Sequence, residues 1–133
     1  MTRRLPPFRR RALAALLATS LAAVAALGVL AAQSLGSSTA RLRAAADGAL
    51  RFNVKVLRVR HGLVTIVMTN PSSSGTQHGI AVEGRHDVHK TGRIVNPGGR
   101  SILRVRLRRG TYEFFCPVPG HKAAGMEGKL IVS

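Results

Sequence analysis

The sequence predicts an all-β domain, a small β-sandwich or barrel, behind an apolar N-terminal leader. Three observations predict it. From residue 51 onward apolar and polar residues alternate in short runs; Gly, Pro, Asn and Ser punctuate those runs at short intervals; and nothing beyond residue 50 sustains a helical period. At 133 residues the chain holds one compact domain and an extension, which excludes a multidomain enzyme. Hydrophobic residues make up 45% but aromatics only 4%, with no Trp, so the core is small. The single cysteine, Cys116, rules out an intramolecular disulfide and leaves packing or a metal to stabilise the domain.

The leader occupies residues 1–32. Arg3, Arg4, Arg9, Arg10 and Arg11 precede an uncharged run, Ala12–Ala32, whose 21 residues would span ~30 Å as a helix, about one bilayer core. A basic segment, an apolar run and small residues read as a secretory signal, with cleavage after Ala31 or Ala40. The run is long for a signal, and the five arginines would hold their side in the cytoplasm, so an uncleaved transmembrane anchor helix is the alternative. Both readings export the remainder to the periplasm or another extracytoplasmic space. Arg3-Arg4 or Arg9-Arg10-Arg11 also admits a twin-arginine signal, although adjacent arginines arise by chance in so Arg-rich a chain.

Residues 33–50 mix small, polar and Ala residues and read as a linker, with the folded domain at 51–133. Its first expected strand places Phe52, Val54 and Val56 on one face; Leu57 and Val59 continue the apolar set one residue out of phase, which a β-bulge would explain. Leu63–Thr69 is the second, ending at Asn70-Pro71, and Gln77–Val82 is the third, leading into a His-rich basic loop. In Ser101–Arg108 the set Leu103, Val105, Leu107 opposes Arg104, Arg106, Arg108, with Ile102 on the polar side. Thr111–Cys116 and Lys129–Val132 complete the series. A domain of roughly 80 residues buries only ~60–65% of its unfolded surface, so a metal would help it fold.

The chemistry concentrates in YEFFCPVPGHKAAGMEGKLIV. Tyr112, Phe114 and Cys116 share one face by period 2, so Cys116 arrives on the core side where Pro117 ends the strand. His121 and Met126 follow in the spacing C-x4-H-x4-M. A thiolate, an imidazole and a thioether on one loop favour copper over zinc, calcium or magnesium. Copper bound by a thiolate takes two imidazoles and a long axial thioether, so a second His must come from elsewhere. His78 is the candidate, near the start of a strand after a polar loop. Singly, each residue has an ordinary reading: Cys116 and Met126 as core fillers, His121 as a surface loop residue.

His78 in its N-x7-H setting, with YEFFCPVPGH and GMEGKLIV, resembles the blue copper proteins, the cupredoxin family of plastocyanin, azurin, auracyanin and sulfocyanin. The resemblance covers residues 51–133, most tightly 111–132, and implies a Greek-key β-sandwich of cupredoxin type. It implies one type 1 copper ion held by His78, Cys116, His121 and Met126, and single-electron transfer between redox proteins. Many members carry Asn or a similar residue after the first His to brace the cysteine loop; this chain has Gly79, so support there is in question. Electrons would pass at the edge of His121, inside an uncharged collar of Pro117, Val118, Pro119, Ala123 and Ala124. Two other classes stay open: a copper-trafficking or storage protein using the same donors, and a small domain of a copper oxidase or nitrite-reductase-like assembly, which would need a second copper.

His86 and His89, with Asp87, offer a second surface metal site against the ordinary reading of a solvated loop; His61, before Gly62 at a turn, is given no role. The full chain carries 21 Lys and Arg against 5 acidic residues, and from residue 41 onward 16 basic residues face the same 5, a net +11. Export and scarce aromatics argue against nucleic acid as a partner. Acidic redox proteins or an anionic membrane surface fit this charge, and a monomer is expected.

Overall fold

The computed structural model describes residues 36–133; the signal or anchor assigned to residues 1–32 lies outside them. Eight strands form two sheets: β1 (Ser37–Arg43), β2 (Val56–Val59), β3 (Gly62–Thr69), β4 (Ala81–Gly84), β5 (Val88–Thr91), β6 (Arg100–Leu107), β7 (Gly110–Phe115) and β8 (Glu127–Val132). One sheet has the order β1-β3-β6 and the other β2-β8-β7-β4-β5. Both are mixed, because β1 runs parallel to β3 and β2 parallel to β8 while the remaining pairs are antiparallel. The all-β sandwich read from the sequence is therefore the observed architecture. Among the described residues no helix is long and apolar enough to cross a membrane.

The core lies between the sheets. Val64, Ile66 and Met68 of β3 and Leu103, Val105 and Leu107 of β6 face Val82, Tyr112, Phe114 and Leu130 of the other sheet, all buried. Period 2 fixes this, since each strand gives alternate residues to one face. β6 obeys it strictly, and Ile102, on the outward phase, is 48% exposed.

Four boundaries depart from the sequence reading. Residues 37–43, expected within a linker, are β1, in register with Leu63–Thr69, and they bury Ala40 and Leu42. No bulge separates Val56 from Leu57: both lie in β2, where Val56 faces outward at 46% exposed rather than sharing the core face with Phe52, and the change of sheet comes before Val56. Phe52 bridges Ala44 next to β1, whereas Val56–Val59 pair with β8, so the chain turns over between them. The third expected strand starts later: pairing begins at Ala81, and His78 makes an isolated bridge to Val95. Finally, the His-rich stretch is a hairpin, β4–β5, turning through His86 and Asp87 at φ 59° and 54°. Both are left-handed positions, which Asp and His adopt more readily than β-branched residues.

Candidate metal centre

The chain brings four donors to one end of the sandwich by three routes. Phe114 and Cys116 lie on the inward phase of β7 and its continuation, so the thiol is fully buried at the strand's end. The segment 117–126 then loops back to β8, and its hydrogen bonds tie the donors together. Cys116 N–H donates to Met126 O at 3.0 Å, Met126 N–H to His121 O at 3.0 Å, and His121 N–H to Val118 O at 3.1 Å. Met126 is fully buried and His121 nearly so.

His78 arrives from the segment before β4. Its N–H donates to Val95 O at 3.1 Å and its carbonyl accepts from Val95 N–H at 2.8 Å. The residue that fixes this bridge is Asn70, fully buried at the end of β3, to which the sequence motif N-x7-H assigns no role of its own. Its Nδ2 donates to Thr76 O and to the same Val95 O, and its Oδ1 accepts from the buried Ser74 hydroxyl. Asn70 thus clamps the polar loop to the His78–Val95 bridge. In the sequence it shows as the Asn of the N-x7-H setting and of the Asn-Pro pair that ends a strand.

Cys116 Sγ lies 3.8 Å from His78 Nδ1 and 3.5 Å from His121 Nδ1, with the two imidazole centroids 5.1 Å apart. All three donor atoms fall within 4.8 Å of one another. A metal ~2.3 Å from sulfur and ~2.05 Å from nitrogen at trigonal angles requires an S···N separation of about 3.8 Å, so the triangle is the right size for one ion. Its chemistry fits too. Burial lowers the pKa of both imidazoles, for His78 with a further contribution from His121, so both favour the neutral, ligating form. Burial raises the pKa of the Cys116 thiol, opposed by the nearby backbone N–H groups of Val118 and Gly79. A bound cation would turn that balance toward thiolate.

Gly79 answers the question its sequence raised. A Cβ there would stand 3.1 Å from Pro117 Cγ and 3.2 Å from Pro117 Cδ, so a side chain would crowd the proline ring, which would have to give by a few tenths of an ångström. The bracing of the cysteine comes instead from its own N–H, which donates to Met126 O. A second brace comes from Lys122, beside His121. Its ammonium pairs with Glu83 and, at 2.9 Å, with Glu113, and lies 4.4 Å from the Phe115 ring centroid, fastening the loop to the outer face of β4 and β7.

A family model for copper-binding proteins of the plastocyanin/azurin family matches residues 40–133. The chain belongs to that family. Among solved structures, auracyanin B is 26% identical with a TM-score of 0.63, covering 72% of this chain and 88% of that one. Auracyanin A, a "blue" copper protein from Chloroflexus aurantiacus, is 24% identical with a TM-score of 0.62 and covers 74% and 100%. A copper nitrite reductase from Nitrosomonas europaea is 22% identical with a TM-score of 0.57, but only 42% of it is covered. No curated protein sequence matches significantly. As a member of this copper-binding family, the chain has His78, Cys116, His121 and Met126 positioned to bind one type 1 copper ion.

The other histidines stand apart. His78, Cys116 and His121 form the one such cluster of ligating residues among the described residues. His89 lies on β5, its Nδ1 3.5 Å from Glu83 Oε2, and His86 sits in the hairpin turn. His61 Nδ1 lies 2.9 Å from Ser133 O.

Proposed function

We propose that the protein is an exported mononuclear blue copper protein that carries single electrons between redox partners and does not itself transform a substrate. The observation that carries this reading is the buried His78–Cys116–His121 triangle, closed to carboxylates and held by the loop that also buries Met126. Bound copper would supply the one-electron Cu(II)/Cu(I) couple. The chain's own residues do the rest. One thiolate and two neutral imidazoles leave an oxidised site at +1 and a reduced site neutral, so burial without another charge favours reduction. The weak thioether of Met126 acts in the same direction. Hydrogen bonds linking Cys116, His121 and Met126 fix the donors before metal arrives, so little rearrangement accompanies the change of charge.

His121 lies on the outward loop, and the collar of Pro117, Val118, Pro119, Ala123 and Ala124 suits brief, largely apolar docking there. Export rests on the basic segment and uncharged run of residues 1–32, as a cleaved signal or a retained anchor. Visible spectroscopy and voltammetry of the copper-loaded protein test the reading. An intense thiolate-to-copper band with a reversible one-electron couple is expected. Rapid surrender of the copper to a chelator with sluggish electron exchange would mark a trafficking protein, and nitrite turnover by an oligomer with a second copper would mark an enzyme.

A further inference from the structure

We propose that the outward face of the β1-β3-β6 sheet is a docking surface for anionic lipid headgroups. Four rows of residues cross this face in register: Arg43, Thr69, Arg100; Arg41, Val67, Ile102; Thr39, Thr65, Arg104; and Ser37, Leu63, Arg106. Five arginines stand in those rows, Arg108 follows just past β6, and all six are exposed. None of the six has an ion-pair partner among the described residues, and no acidic residue lies on β1, β3 or β6. The acids are elsewhere. Glu83, Glu113 and Glu127 belong to the other sheet, Asp87 to the β4–β5 turn, and Asp47 is paired with Arg51 in the loop after β1.

Like charges on neighbouring positions of a sheet repel, and no side chain on this face relieves them. What would relieve them is a flat array of anions. Successive outward positions on β6 lie ~6.7 Å apart and the eight-residue strand is ~25 Å long, so the arginines form an extended, even field rather than one focus. Guanidinium forks suit phosphate oxygens, and the exposed Ile102, with Val67 beside it, supplies apolar contacts between them.

Two features favour lipid over an acidic redox protein. A redox partner must reach His121, which lies at the end of the strands where β7 finishes; the basic face is the broad side, and covering it leaves that end free. In addition, only residues 33–36 separate the uncharged run ending at Ala32 from β1, so a retained leader places β1 within ~18 Å of chain from its own anchor. The inference does not depend on copper and survives if the metal reading fails.

The test uses the full chain reconstituted in vesicles of phosphatidylcholine, alone or with one-third phosphatidylglycerol. A fluorophore is placed at Thr65→Cys on the basic face or at Lys129→Cys on the opposite sheet; the native Cys116 is buried and escapes labelling. Nitroxide lipids carrying the spin label at the headgroup should quench the label at 65 and not the one at 129. Quenching should require phosphatidylglycerol and vanish in 1 M salt. Each arginine removed should weaken docking about fivefold, so Arg41→Gln, Arg104→Gln, Arg106→Gln together should weaken it about 100-fold. Should that variant fold poorly, the salt titration on the unaltered arginines still decides. Equal quenching in neutral vesicles, no quenching in either, or protection of position 65 only when an acidic redox protein is added would each overturn the proposal.

Discussion

At His78 the difference between a ligand and an ordinary core histidine is one bridge to Val95 and one neighbour, Cys116, 38 residues away. His78→Ala should therefore abolish the blue band, while His86→Ala with His89→Ala should leave it intact, since those two join no buried ligand cluster. A bleached double variant alongside a blue His78→Ala protein would remove His78 from the site. Met126 makes the second test. Met126→Gln should keep copper and lower the reduction potential, because an amide oxygen is a harder donor and stabilises Cu(II) more than a thioether. Met126→Leu should raise it, and voltammetry showing no shift for either variant would exclude an axial role. Gly79 shows how much one missing side chain can decide: its hydrogen atom leaves room for the Pro117 ring beside the cysteine.

Two elements carry more than their sequences suggest. β1 reads SSTARLR, with small residues on the phase that turns inward, yet it completes the core by laying Ala40 and Leu42 beside Ile66 and Met68 of β3. A soluble form beginning at Gln33 should fold and bind copper. One beginning at Arg51 should fail to fold, because it removes Ala40, Leu42 and Ala44 from the core and leaves one edge of β3 unpaired. Thermal unfolding of the two forms decides, and equal stability would return residues 37–50 to the role of linker. The loop between β3 and β4 depends on Asn70 in the same way. Asn70→Ala strips two donated bonds and one accepted bond from a fully buried site, which should cost ~1–3 kcal/mol by chemical denaturation. Because Val95 O is shared with His78, the copper spectrum should shift as well; destabilisation with an unaltered spectrum would make Asn70 purely structural.

Across the whole domain, charge is sorted by face. Arginines cover the outside of the three-stranded sheet, and the carboxylates of Glu83, Glu113 and Glu127 gather on the outside of the other, where Lys122 joins two of them to the metal loop. From residue 41 onward 16 basic side chains outweigh 5 acidic ones, a charge that would draw in an acidic redox partner over about a Debye length, ~10 Å at 0.1 M salt. Electron exchange with such a partner should fall steeply as ionic strength rises. A flat profile in stopped-flow measurements would leave docking to the apolar collar around His121 alone.

The features legible before folding were local in origin. Period-2 alternation named the strands of Leu63–Thr69, Ser101–Arg108 and Thr111–Cys116 and their inward faces, because a side chain's direction in a strand is set by its own backbone. The C-x4-H-x4-M loop could be read directly, since its donors are near in the chain and their chemistry is selective. The other features depend on contacts between distant segments. The Ala-containing SSTARLR is a strand because β3 offers it a partner, and strand preference reflects such neighbours more than composition. The break in phase between Phe52 and Leu57 reflects a passage from one sheet to the other before Val56, which no single-strand pattern can express. The position of His78, and Asn70 as its clamp, depend on hydrogen bonds to Val95, a residue 17 and 25 positions away, and contacts of that separation leave no period in a sequence.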